Sequence, residues 1–139
     1  MNPNYVFTSE TRTTGPNLIF ELRGELDVVF APGLRGQIIG VLRDLKPERL
    51  ILDLTHLTFL DSTGLGVLLW AHHRMSEQGG RLCLAAPGHL VRRVLHTTGL
   101  DRRLHVYDTL EDLTHDLTHD RSDLSPVTGS GGRSRAVGP

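Results

Sequence analysis

The residues best placed to do chemistry lie in one short segment, residues 59–67, with the sequence FLDSTGLGV. An apolar run leads into a carboxylate, two hydroxyls and two glycines, and apolar residues at helical spacing follow. Ser62 therefore falls where a predicted buried strand hands over to a predicted helix. A hydroxyl at such a position could cap the helix, act as a nucleophile or accept a phosphoryl group.

Helix capping is the simplest interpretation of this segment. Asp and Ser are favoured at helix N-caps because the side-chain oxygen accepts a hydrogen bond from a free backbone N–H. Either Asp61 or Ser62 could fill that role, while Gly64 and Gly66 could let the helix pack closely on the sheet. This interpretation assigns the segment no function beyond the fold.

Three enzyme-type motifs fit the same segment poorly. A Gly-x-Ser-x-Gly nucleophile elbow needs a glycine where Leu60 stands. The aspartic protease motif has one residue fewer between its carboxylate and its glycine. A phosphate-binding loop needs a lysine close by, and the chain's lysine, Lys46, is not near enough. We therefore expect no catalytic residues, and the chain is predicted not to be an enzyme.

A phosphoacceptor role agrees better with the position of Ser62. A phosphate at a helix N-terminus faces free N–H groups and the positive end of the helix dipole, a favourable term of ~0.3–1 kcal/mol. The fold would therefore tolerate the modification. A partner docked over the same helix start would not, because like charges at an interface cost several kcal/mol, and ~4 kcal/mol is about a thousandfold in affinity.

Apolar periodicity along the chain predicts the elements that hold this segment. Strand–helix–strand crossovers require mostly parallel pairing, so we expect an α/β fold: one domain with a small, mixed, mostly parallel β-sheet and about four helices. Strands are predicted at residues 5–8, 18–22, 49–54, 81–85 and 105–107. Four helices are predicted. The first has Pro32 in its first turn and ends before Pro47, and the second covers residues 63–78. The third begins at Pro87 and His89 and ends at Gly99, and the fourth follows a capping box at residues 108–111.

Length and composition set limits on the function. The 139 residues suggest one domain over residues 1–119 and a Gly/Ser/Pro/Arg-rich tail over residues 120–139, which is predicted to be disordered. A formal net charge of −1 argues against direct nucleic-acid binding. No apolar run approaches the ~20 residues of a membrane span. Cys83 stands alone and the N-terminus lacks a signal peptide, so a cytoplasmic location is expected.

Eight histidines prompt a search for a metal site. His115 and His119 are spaced one helical turn apart on the last predicted helix. Two histidines alone lack the third and fourth ligands of a zinc site. We therefore expect neither a metal nor a cofactor.

Several motifs taken together resemble a known family. They occur in order over roughly residues 5–119: GELD at 24–27, LDL at 52–54, FLDSTGLGV at 59–67, a glycine pair at 79–80 before a strand, and VL…TGL at 94–100. This set resembles the anti-anti-sigma factors, or anti-sigma factor antagonists, which are bacterial STAS-domain proteins. The resemblance implies the STAS α/β fold.

The resemblance also implies a partner-switching function. The unphosphorylated protein would bind an anti-sigma factor that is also a serine kinase, and so free the sigma factor. That kinase would use ATP to phosphorylate Ser62, with Thr63 as second choice, and the complex would dissociate. A PP2C-type phosphatase would reset the switch. The alternative is a STAS scaffold or regulatory module in another kinase-linked signalling complex that does not act on a sigma factor.

The partner-binding surface implied by the resemblance centres on the start of the Ser62 helix. Trp70 departs from the family, which usually has a small residue there. Helical spacing places Trp70 off the apolar face of its helix, so it either covers a neighbouring helix or contacts a partner. The predicted partner-binding residues are Asp27, Asp61, Ser62, Thr63, Gly64, Gly66 and Trp70.

Overall fold

A sheet of five strands organises the computed structural model, which describes the backbone of residues 5–122 and the side chains of residues 5–117. The strands lie in chain order. β1 is antiparallel to β2, and the other neighbours are parallel, which confirms the predicted mixed, mostly parallel sheet. The strands are β1 (Phe7–Thr14), β2 (Asn17–Leu26), β3 (Arg49–Leu60), β4 (Arg81–Ala85) and β5 (His105–Tyr107).

Three helices connect the parallel strands and a fourth follows the last strand. They are α1 (Ala31–Leu45), α2 (Ser62–Glu77), α3 (His89–Thr97) and α4 (Leu110–Ser122), with a short 3-10 turn at Leu100–Arg102. Because β2 to β5 advance across the sheet in one direction, right-handed crossovers put α1, α2 and α3 on the same face. The other face is left for α4.

Side-chain alternation along the strands builds a core on each face. The alternation of Leu18, Phe20 and Leu22 predicts that they share one face of the sheet, and all three are buried against α1, α2 and α3. Ile19 and Ile51 point to the other face, where α4 contributes Leu110, Leu113 and Leu117. Cys83 is buried in this second core and acts there as a small apolar side chain.

Helical spacing predicts that Leu45 of α1 and Leu90 of α3 face the core, but both are exposed. Leu45 is 53% exposed because it is the last residue of α1, and Leu90 is 57% exposed near the start of α3. The nine residues of α3 turn only a narrow face to the sheet, formed by Val91, Val94 and Leu95. The prediction that Leu90 faces inward is therefore wrong.

Three predicted element boundaries are also corrected. β1 runs to Thr14 instead of residue 8, because its polar residues pair with residues 17–24 of β2. β3 continues six residues past Leu54 to Leu60, because its second half also pairs with β2. Thr109, not Asp108, caps α4: its Oγ1 accepts a hydrogen bond from the Asp112 N–H at 2.9 Å. Asp108 instead forms an ion pair with Arg92 at 2.8 Å.

Most of the predicted tail, residues 123–139, lies outside the described residues. Among the helices that the structure describes, none has the length and apolar character needed to cross a bilayer.

Candidate functional site

The candidate site forms where β2 and β3 end side by side. Leu26 and Leu60, the last residues of the two strands, are partners in the parallel register. Asp27 and Asp61 follow directly, so two carboxylates lie at one edge of the sheet. The Asp61 N–H donates to the Leu26 carbonyl at 3.3 Å, which ties the two strand ends together just before α2 begins.

Asp61 is the N-cap of α2. Its backbone is extended, and its Oδ1 accepts hydrogen bonds from the backbone N–H groups of Thr63 (2.9 Å) and Gly64 (3.0 Å). These bonds satisfy two of the donors that a helix start leaves without partners. Of the two capping candidates in the sequence, Asp61 therefore fills the role and Ser62 does not.

Ser62 is the first residue of α2 and is exposed. Within the described part of the chain, its hydroxyl has no hydrogen-bond partner. Thr63, one residue further into the helix, is only half-exposed. The Ser62 hydroxyl thus points into solvent at the positive end of the helix dipole, where a phosphoryl group has room and a favourable field.

The two glycines of the segment differ in their surroundings. A Cβ on Gly64 would lie 2.6 Å from Leu60 Cδ1 and 2.8 Å from the Leu26 carbonyl oxygen. A Cβ on Gly66 would meet nothing within 4 Å, and Gly66 is exposed. Close packing therefore explains Gly64 but not Gly66. Because Gly66 has no side chain, nothing projects from the surface of α2 at this position, one turn after Ser62.

Hydrogen bonds from two directions hold the Asp27 carboxylate. Its Oδ1 accepts from the backbone N–H groups of Val29 (3.0 Å) and Phe30 (3.4 Å), and its Oδ2 accepts from the Tyr5 hydroxyl. The bond from Tyr5, aided by those N–H groups, lowers the pKa of Asp27 below its ordinary value of 3.8. Asp27 is therefore ionised at neutral pH and fixed in place.

Tyr5 is a site residue that the sequence does not reveal. Its ring packs on Phe30 at 5.3 Å between centroids. The hydrogen bond to Asp27 is the main cause that raises the pKa of Tyr5 to about 12, and the charge of Asp61 adds to it. Because both carboxylates act on one phenol, they belong to the same electrostatic site. Tyr5 and Asp27 are 22 positions apart, and no local pattern links them.

Trp70 packs against the main core and is half-buried. The Arg35 guanidinium of α1 lies over its ring, with Cζ 4.7 Å from the centroid. The first interpretation of Trp70, a side chain that covers a neighbouring helix, describes these contacts. Its contact with a partner stays a prediction.

Exposed apolar side chains surround the strand ends, a feature that the sequence pattern does not predict. Val28 and Val29, in the loop between β2 and α1, are 63% and 62% exposed, and Phe59 beside Ser62 is 44% exposed. Phe59 also lines a groove with Leu90 and other residues of α3. We call Val28, Val29, Phe59 and Leu90 the apolar edge. Large exposed apolar patches mark interaction sites, so these four side chains are candidates for contact with a partner.

The described residues contain no group of three or more His, Cys, Asp or Glu side chains that could hold a metal ion. His115 lies on α4 as its spacing from His119 predicts, and the side chain of His119 lies outside the described residues.

Comparisons with known proteins agree with this geometry. The family model of the STAS domain matches residues 8–113. The anti-sigma F factor antagonist of Paenibacillus polymyxa is 33% identical over 91 residues, which cover 66% of this chain and 78% of that protein. A crystal structure of an anti-sigma factor antagonist from Mycobacterium paratuberculosis has a TM-score of 0.74 at 32% identity, over 86% of this chain and 97% of that one.

SpoIIAA, an anti-sigma factor antagonist from Bacillus, is also similar, at 25% identity in both of its solved forms. The unphosphorylated form has a TM-score of 0.68, and the match covers 83% of this chain and 97% of the SpoIIAA chain. The phosphorylated form has a TM-score of 0.59, and the match covers 84% of this chain and 99% of the SpoIIAA chain. The STAS match takes in the strand ends, the Asp61 cap and all of α2, so this chain belongs to the STAS-domain family.

Proposed function

We propose that this protein is an anti-sigma factor antagonist of the bacterial cytoplasm that works by partner switching at Ser62. The observation that carries the proposal is the exposed Ser62 hydroxyl, without a hydrogen-bond partner among the described residues, at the first position of a helix that Asp61 caps. Relatives that are anti-sigma factor antagonists support the choice of partner class. The protein acts by binding, and the chemistry belongs to its partners.

In the unphosphorylated state, the protein binds an anti-sigma factor that is also a serine kinase, and the sigma factor is released. The apolar edge supplies area that is favourable to bury, while Asp27 and Asp61 supply fixed charges that set the orientation. The low surface at Gly66 lets the kinase approach the start of α2 closely.

The kinase then transfers the γ-phosphoryl group of ATP to Ser62 Oγ. The new O–P bond replaces the bond to ADP, and the hydroxyl proton leaves. The phosphate adds a charge of about −1.5 to −2 beside two carboxylates. The start of α2 accommodates that charge, but the docked kinase does not, so the complex dissociates. A PP2C-type phosphatase hydrolyses the phosphoserine and resets the switch.

A two-step experiment tests this function. Immobilised Ser62→Ala protein, which cannot be modified, is used to retain the kinase from the native cytoplasm. The retained kinase and ATP should then add one phosphate to the wild-type protein and to the Thr63→Val control, and none to Ser62→Ala. Equal phosphate uptake by Ser62→Ala would show that Ser62 is not the acceptor.

A phosphate mimic separates switching from folding. Ser62→Asp should weaken kinase binding by about a hundredfold or more. Its free energy of unfolding should stay within ~0.5 kcal/mol of the wild type, because the Asp61 cap remains intact.

A retained kinase that binds no sigma factor would indicate the alternative, a STAS module of another kinase-linked complex.

A further inference from the structure

A second candidate site lies at the opposite edge of the sheet from Ser62. Between α4 and the second sheet face there is a cavity of about 430 Å³, close to the β1–β2 turn and the first residue of β3. This volume falls within the ~300–1,000 Å³ of small-molecule sites. The cavity does not touch the Ser62 surface and is not used in the proposed partner switch.

The inner walls of this cavity are apolar. Ile19 and Ile51, partners in the β2–β3 register, form the floor, and Leu110, Leu113 and Leu117 of α4 form the roof. Ile19 is 9% exposed, whereas Ile51 is 2% exposed, so the cavity opens towards β2 and the hairpin. An apolar body could lie between the strand floor and the helix roof.

The rim of the cavity is basic. Arg12 of β1 stands opposite Ile19 in the strand register and therefore on the same face. Arg49, at the start of β3, also lines the cavity and donates to Asn17 Oδ1 at 3.4 Å. None of the described residues that line the cavity is an Asp or Glu, and within residues 5–117 Arg12 forms no ion pair.

We infer that this cavity binds an amphipathic carboxylate, such as a medium-chain fatty acid. The carboxylate lies at the rim, where Arg12 offers guanidinium donors in the planar geometry that carboxylates accept. The alkyl chain lies between Ile19, Ile51 and the leucines of α4, where its burial is favourable.

A titration with decanoate tests this inference, with the isoleucine and leucine methyl groups of the full chain followed by NMR. Decanoate is kept below its aggregation concentration. Saturable shifts should appear at the methyl groups of Ile19, Ile51 and Leu113, while those of Leu45 and Leu90 stay in place. Decanol and decyltrimethylammonium, with the same chain but no negative charge, should shift these signals weakly or not at all.

A matched pair of arginine variants assigns the head group. Arg12→Gln should weaken decanoate binding about tenfold, because one charge-assisted contact is lost. Arg23→Gln is the control: Arg23 lies on the same sheet face, pairs with Glu21 at 3.2 Å and does not line the cavity. Both arginines are exposed, so both variants should keep the wild-type spectrum without ligand.

Three outcomes would overturn the inference. Decanol could shift the Ile19 and Ile51 methyl groups as strongly as decanoate, which would leave Arg12 without a role. Arg12→Gln could bind decanoate with unchanged affinity. The protein could also sediment with phosphatidylglycerol vesicles in an Arg12-dependent way, which would make this face a membrane-contact surface and not a small-molecule site.

Discussion

At the scale of single residues, adjacent side chains at the start of α2 have separate roles. Asp61 satisfies the helix N–H groups, so the Ser62 hydroxyl is not needed for the cap. A phosphate on Ser62 would therefore change the charge of the surface without removing a hydrogen bond that caps α2. Asp27 follows the neighbouring strand end, and the Tyr5 hydroxyl together with two backbone N–H groups holds its carboxylate.

The Tyr5–Asp27 hydrogen bond makes a prediction that titration can check. Asp27→Asn should bring the pKa of Tyr5 down from about 12 towards the ordinary value of 10, because the charged acceptor is gone. Phenolate absorbance against pH measures this shift. Tyr107, the second tyrosine, is the internal control: burial, and then its bond to Asp116, raise its pKa, and the substitution should leave it unchanged.

The same bond has a signed effect on stability. Since it lowers the pKa of Asp27, its contribution is present above pH 3.8 and is lost as the pH falls through the lowered pKa. Since it raises the pKa of Tyr5, the contribution is also lost as the pH rises from 10 to about 12. Tyr5→Phe should thus be less stable than the wild type at pH 7 and equal to it in strong acid. A difference that persists below the Asp27 pKa would contradict this.

At the scale of elements, the docking of α2 on the strand ends depends on one glycine. The helix starts so close to β2 that Gly64 touches the Leu26 carbonyl region, and a side chain there has no space. Gly66, two residues on, faces solvent. Two glycines of the same helix therefore differ in role: Gly64 is needed for packing on β2, and Gly66 is not.

Alanine substitutions at the two glycines should have opposite effects. Gly64→Ala should lower the free energy of unfolding by ~1–3 kcal/mol, because the added methyl clashes with the backbone of β2. Gly66→Ala should raise it by ~0.5–1 kcal/mol, since alanine favours the helix and meets no neighbour. Chemical denaturation measures both values. Equal losses would show that neither effect comes from the contact with Leu26.

At the scale of the whole molecule, the two edges of the sheet differ in character. Ser62, Asp27, Asp61 and the apolar edge lie where β2 and β3 end. The basic cavity under α4 lies at the other end of the sheet, where these two strands begin. Right-handed crossovers gather α1, α2 and α3 on one face, which leaves α4 alone on the other. Two separate surfaces can therefore bind different molecules.

A pair of serine substitutions tests whether the apolar edge contacts the proposed kinase. Phe59→Ser should weaken binding of the retained kinase about tenfold or more, because an exposed aromatic beside Ser62 is removed. Leu45→Ser is the control, since Leu45 is similarly exposed but ends α1 away from Ser62. Binding measured by titration calorimetry should be unchanged for Leu45→Ser. Equal losses would contradict the assignment of the apolar edge.

Local pattern predicted much of the fold and the centre of the site. Alternating apolar residues predicted β2, and apolar residues at helical spacing between Pro32 and Pro47 predicted α1. The junction at Asp61 and Ser62 was visible because the capping residue and the helix it caps are neighbours in sequence. The full length of β3 was not visible, because Thr55, His56 and Thr58 interrupt its apolar run and only pairing with β2 extends it.

The sequence alone determined the order of the elements, the parallel sheet and the helix start at Ser62, because each depends on contacts between residues close in the chain or on crossover handedness. The tertiary structure decided which of Asp61 and Ser62 caps α2, that Tyr5 holds Asp27, that Phe59 stays exposed and that α4 roofs a basic cavity. These features arise where distant segments meet, and a linear pattern does not specify how close two such segments come.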